Sequence, residues 1–132
     1  MKIERFEDLE IWKEARDLAK IIFEITSAEP VHSDFKFRDQ IRAYSGSIMD
    51  NIAEGFERDG NKEFIQFLSV AEGSCGECRS QSLRAYDYKY INDEILEDLI
   101  SRTTQLCKKI ASFISYLKRC QFKGSKYYIP EP

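Results

Sequence analysis

Apolar residues recur along this chain with the spacing of amphipathic helices, and this feature constrains the fold most. Four stretches show the pattern, at about 7–27, 35–58, 62–90 and 93–121, with an apolar residue returning every three or four positions. No strand-like alternation and no linker composition separates them. Short connections between four long helices predict an all-α fold, an antiparallel up-down-up-down four-helix bundle. Residues 1–121 are predicted to form the bundle domain and residues 122–132 a C-terminal tail.

The length and composition favour a single cytoplasmic domain. A chain of 132 residues with 42% hydrophobic content suits one core. Its opening residues are charged, with no apolar run of signal-peptide or membrane-span length. In the reducing cytoplasm the four cysteines are predicted to be free thiols that serve as small core hydrophobes, at Cys75, Cys78, Cys107 and Cys120.

Catalytic and metal-binding residues are scarce in the sequence. The sole histidine, His32, precedes the second helix, so the two Glu-x-x-His elements of a di-iron bundle are missing. The Cys75-x-x-Cys78 pair has redox or zinc spacing, but it lies in the middle of a helix without a second close pair, and core packing explains it as well. We therefore expect no enzymatic activity, no metal and no cofactor.

The third helix carries small residues opposite its apolar seam. Ser69, Gly73, Gly76 and Ser80 recur at i, i+4, i+7 and i+11. Each glycine inside a helix costs about 1 kcal/mol relative to alanine, which close approach of a second helix would offset. The stripe therefore predicts an oligomer interface, with a weakened or kinked solvent face as the alternative.

The end of the chain is basic, although the whole protein has a net charge of −3. Residues 101–132 carry seven Lys and Arg against one acidic residue. On the fourth helix the basic residues are predicted to share one outer face that contains no carboxylate. Such a face suits a phosphate backbone, but it is also typical of a solvated helix surface. Any nucleic-acid contact is predicted at Arg102, Lys108, Lys109, Arg119, Lys123 and Lys126.

Three polar residues share a flank of the second helix at i, i+3 and i+7, namely Asn51, Glu54 and Arg58. They suit either a polar cluster that contacts a ligand or another subunit, or a surface ion pair beside an asparagine that fixes helix register.

Spaced motifs in the first three helices resemble a known family. They read FxDLExWKxA at 6–15, QIR at 40–42 followed by SIxxNIAEG at 47–55, and EFxxFLxxAxGS at 63–74. Over about residues 5 to 118 the chain resembles the four-helix-bundle family encoded in 23S ribosomal RNA intervening sequences. That family also includes the accessory protein of diversity-generating retroelements. The family motif residues are Asn51, Glu54 and Gly55.

The resemblance implies a homopentameric ring of bundles, and association with RNA or DNA or with a reverse transcriptase. Two features depart from the family pattern. Arg42 is followed by Ala43 and Tyr44 where many members have paired arginines, and the sequence pI is near 5.3, whereas the accessory branch is basic. Two functions remain open: an oligomeric protein-interaction scaffold, and a nucleic-acid-associated accessory protein.

Overall fold

Four long helices make up nearly the whole protein in the computed structural model, which describes residues 2–120 and the backbone of 127–128. Each helix packs against the next one along the chain, and the first also contacts the fourth. The predicted all-α up-down-up-down four-helix bundle is therefore confirmed. The helices are α1 (Glu10–Thr26), α2 (Phe35–Glu57), α3 (Asn61–Asp87) and α4 (Asp93–Arg119).

The helix ends follow local chemistry that is visible in the sequence. Asn92 caps α4 by accepting a hydrogen bond from the Ile95 N–H at 2.9 Å. Gly60 has a φ of 109°, a left-handed conformation that allows the tight α2–α3 turn. Asn61, at the start of α3, donates from Nδ2 to the carbonyls of Leu117 and Cys120 at 2.8 and 3.0 Å. It thereby adds hydrogen bonds to the carbonyls at the end of α4, where the helical pattern stops.

The core is one layer of branched and aromatic side chains between the four helices. Its largest fully buried members are Phe56, Phe64, Leu18, Ile22, Ile48, Ile52, Leu68, Leu99, Leu106, Ile110 and Leu117. Helical spacing places three aromatic residues on the apolar arcs of their helices, yet their side chains are substantially exposed, namely Phe23, Tyr44 and Tyr86. The apolar arcs are wider than the stripe that the neighbouring helices cover, so residues at their margins meet solvent.

A short antiparallel ladder joins the two ends of the chain. Its strands are β1 (Lys2–Ile3) and β2 (Tyr127–Tyr128), with Lys2 opposite Tyr128 and Ile3 opposite Tyr127. The sequence predicts no strand, because two residues are too few to show an alternating pattern. Within the described part of the chain, no helix is both long enough and apolar enough to cross a membrane.

Candidate interaction surfaces of the bundle

The family motif glycine, Gly55, forms the closest packing between α2 and α3. A Cβ atom at this position would lie 2.7 Å from Cβ of Phe67 and 2.9 Å from Cδ1 of Phe64. Carbon atoms pack at about 3.5–4.0 Å, so only glycine fits here without a shift. Gly55 is buried and serves the internal contact between the two helices.

Asn51 belongs to a polar network that joins the same two helices. Its Nδ2 donates to the Ser47 carbonyl at 2.8 Å and to Ser47 Oγ at 2.9 Å. Ser47 Oγ in turn lies 2.9 Å from Ser74 Oγ on α3. Glu54 forms an exposed ion pair with Arg58 at 2.7 Å. Asn51 therefore bonds within α2, Ser47 connects this helix to α3, and the ion pair lies on the surface.

All four residues of the α3 stripe are exposed, as the sequence predicts. A Cβ atom added to Gly73 or Gly76 would meet no atom within 4 Å. Two large apolar side chains lie beside the stripe, Val70 with 52% and Leu83 with 46% of its surface exposed. Nothing within the described chain therefore explains why glycine occupies these two positions.

A shallow groove of about 500 Å³ lies on the outer side of α4. Inside the bundle, Cys75 of α3 donates its thiol hydrogen to the Thr103 carbonyl of α4. The groove is lined by Leu96, Glu97, Ile100, Ser101, Thr104, Gln105 and Lys108.

The basic face of α4 is partly neutralised by carboxylates. Lys109 Nζ donates to Glu10 of α1 at 2.7 Å and also contacts Glu14. The hydrogen bond from Lys109 lowers the pKa of Glu10, and the same bond raises the pKa of Lys109. Arg102 is paired with Asp98 at 2.9 Å. The prediction of a face without carboxylates is therefore wrong at these two positions.

The other predicted basic contacts divide into two groups. Lys108 and Arg119 are exposed, and neither forms an ion pair with another described residue. Lys123 and Lys126 lie outside the described residues.

Arginines lie over aromatic rings along the outer face shared by α1 and α2, which sequence reasoning did not identify as a site. The distances from Cζ to the ring centroid are 5.6 Å for Arg16 and Trp12, 4.3 Å for Arg42 and Phe23, and 4.9 Å for Arg38 and Phe35. In the first and last pairs the arginine follows its aromatic partner by four and three positions, a helical spacing that is visible in the sequence. The middle pair joins two helices and has no local signal.

The cysteines occupy positions that suit packing better than chemistry. Burial raises the pKa of the Cys75 and Cys78 thiols to about 12, so both remain protonated near neutral pH. Cys107 and Cys120 are half-buried, and all four are free thiols. Among residues 2–120, no three His, Cys, Asp or Glu side chains are grouped to hold a metal ion.

The fold places the protein in the class of small antiparallel four-helix bundles. The 23S rRNA-intervening sequence protein family matches residues 7–112. The chain belongs to this family, which confirms the resemblance seen in the sequence motifs.

The same fold is found among solved structures, as the following example shows. It is a protein with unknown function from the S23 ribosomal protein family of Bacteroides thetaiotaomicron, 22% identical to this chain. The match covers 79% of this chain and 97% of that one, with a TM-score of 0.72. No curated protein matches the chain.

Proposed function

We propose that this protein is a non-enzymatic scaffold that assembles with copies of itself through the outer face of α3. The supporting observation is the exposure of Gly73 and Gly76 in the middle of a helix, where a Cβ would meet nothing. Glycine at both positions lowers helix stability by about 1 kcal/mol each, and no contact among the described residues offsets this cost. A second copy that packs closely on Ser69, Gly73, Gly76 and Ser80 would offset it.

The residues beside the stripe support the same proposal. Val70 and Leu83 expose about half of their surface, and burial of the exposed half would contribute about 1 kcal/mol each. The α4 groove adds Leu96 and Ile100. We propose five copies in the assembly, the number that the family resemblance implies.

Mass measurement with a matched pair of variants tests the assembly. Gly73→Leu should dissociate it, because the larger side chain prevents close helix approach, while helicity by circular dichroism stays unchanged. Gly46→Leu is the control, since a Cβ at Gly46 of α2 also meets nothing within 4 Å. If light scattering gives the same mass for Gly73→Leu and the wild type, the interface does not lie on this face of α3.

A nucleic-acid-associated accessory role is the second candidate function. Its supporting observation is the exposure of Lys108 and Arg119 on α4, away from any ion pair formed by the described residues. Two of the other predicted contacts, Arg102 and Lys109, are already paired with acidic side chains. This pairing reduces the charge that α4 offers to a phosphate backbone.

A further inference from the structure

The outer face of α4 carries a row of residues with the spacing of a helix–helix contact. Glu97, Ser101, Thr104 and Lys108 lie at i, i+4, i+7 and i+11, a pattern that keeps residues along one line of an α-helix. All four line the shallow groove on α4. The groove therefore follows this row for about three turns of the helix.

The two ends of the row carry opposite charges that no other described residue balances. Glu97 and Lys108 are both exposed, and neither forms an ion pair with another described residue. By contrast, Arg102 and Lys109 of the same helix are held by carboxylates. Eleven positions separate Glu97 from Lys108, about 16 Å along the helix, so the two cannot pair within one copy.

Small and apolar side chains occupy the space between the two charges. Ser101 and Thr104 lie at the middle of the row, and their small size lets a second helix approach closely. Leu96 and Ile100 flank the row, half-buried, and add apolar surface. Ser101 Oγ accepts a hydrogen bond from Gln105 Nε2 at 3.3 Å, so its own hydrogen can be donated to a partner.

We propose that α4 of a second copy occupies this groove in antiparallel orientation, related to the first by a two-fold axis. Reversing the row places Glu97 opposite the partner's Lys108 and Ser101 opposite the partner's Thr104, and two-fold symmetry makes each pair occur twice. A parallel arrangement would place like charges together. The row is thus complementary to itself, whereas a different partner would have to carry the same charges in reverse order.

This contact goes beyond the assembly through α3. Contacts inside a five-fold ring are head-to-tail, whereas a two-fold contact uses the same patch on both copies, so α4 joins one assembly to another. One helix face is small beside the roughly 1,200–2,000 Å² that a stable interface buries. The contact between single copies is therefore weak, and its repetition around the α3 assembly strengthens it, the one step that rests on the proposed function.

Cross-linking of the full chain at high concentration with a water-soluble carbodiimide, which joins a carboxylate directly to a neighbouring amine, tests the pairing. Mass spectrometry of the digest should find Glu97 joined to Lys108. Because these residues are about 16 Å apart on one helix, the product can form only between two copies. The internal control is Glu10 joined to Lys109, whose atoms lie 2.7 Å apart in one chain. The control product without the Glu97–Lys108 product would overturn the proposal.

Charge reversal tests the antiparallel orientation. Glu97→Lys and Lys108→Glu should each weaken the α4 contact by about tenfold or more, because both pairs become repulsive. The concentration dependence of the mass in light scattering measures this. An equal mixture of the two variants should associate like the wild type, since each variant then meets the opposite charge on the other at both ends. A mixture that associates no better than either variant alone would contradict the proposal.

The α3 and α4 contacts can fail separately. Gly73→Leu should still give the Glu97–Lys108 product, in lower yield because avidity is lost. Glu97→Lys should leave the mass of the α3 assembly unchanged in dilute solution. A wild type that is monomeric in dilute solution and still gives the product would support the α4 contact and contradict only the assembly through α3.

Discussion

Gly55 and the pair Gly73 and Gly76 are the same residue type on neighbouring helices, yet their surroundings differ completely. A Cβ at Gly55 would collide with Phe67 and Phe64, whereas one at Gly73 or Gly76 would meet open space. The first glycine is explained by packing inside the chain. No packing contact among the described residues explains the other two. The difference shows that a glycine of the family motif can serve the fold, while the two glycines of the α3 stripe have no role in packing among the described residues.

Substitution at Gly55 tests whether this glycine is required for packing inside the bundle. Its effect on the free energy of unfolding should be the largest among these predictions. Gly55→Ala should lower the free energy of unfolding by about 1–3 kcal/mol, because the added methyl overpacks the α2/α3 contact. Urea denaturation followed by circular dichroism measures it. Gly46→Ala is the control and should be neutral or stabilising by up to about 1 kcal/mol. Equal behaviour of the two variants would contradict the close packing at Gly55.

The hydrogen bonds of Asn51 should contribute somewhat less to the free energy of unfolding. Asn51→Ala removes the donor that orients Ser47 toward Ser74, so the free energy of unfolding should fall by about 1–2 kcal/mol. Glu54→Ala, which removes only the exposed pair with Arg58, should cost less than about 0.5 kcal/mol. If urea denaturation shows that Glu54→Ala lowers the free energy of unfolding more than Asn51→Ala does, the Glu54–Arg58 pair is not merely a surface ion pair.

The predictions succeeded where periodicity and capping decide the structure. The α2 stretch was expected at 35–58 and runs over Phe35–Glu57, and the fourth helix begins after the Asn92 cap as expected. The exposure of the α3 stripe also followed from helix geometry. These features depend on residues close together in the sequence.

Features that depend on distant residues could not be predicted. Glu10 and Glu14 are 99 and 95 positions from Lys109, so a helical projection of α4 gives no sign of them. The stacking of Arg42 on Phe23 joins two helices in the same way. Phe23 falls inside the predicted apolar arc, and only the position of α2 reveals that its ring is mostly exposed.

The ion pairs between α1 and α4 should have a small and pH-dependent effect. Lys109→Gln should lower the free energy of unfolding by between about 0 and 1 kcal/mol near neutral pH, because the pairs are exposed and screened. The pKa of Glu10 is lowered in the folded state, so its contribution is present above the ordinary pKa of 4.5 and is lost as pH falls through the folded value. The pKa of Lys109 is raised in the folded state. Its contribution to the free energy of unfolding is therefore fully present below the ordinary pKa of 10.5, and it is lost as pH rises through the pKa of the folded state.

Urea denaturation at several pH values checks this prediction. The difference between the wild type and Lys109→Gln should be largest between about pH 5 and pH 10 and should disappear in acid. A difference that persists unchanged at pH 2 would indicate that Lys109 contributes through packing of its aliphatic chain.

Assembly through α3 is tested most directly by the mass of a variant in which Gly73 and Gly76 are both alanine, measured by light scattering across micromolar concentrations beside the wild type. Alanine improves helix stability by about 1 kcal/mol per site, yet its methyl groups separate two helices that pack on this face. The expected result is a wild type with a mass several times 15.5 kDa and a variant that dissociates at higher concentration while its helices are retained. A wild type that is monomeric throughout, or a variant that keeps the full wild-type mass and gains thermal stability, would contradict assembly through this face.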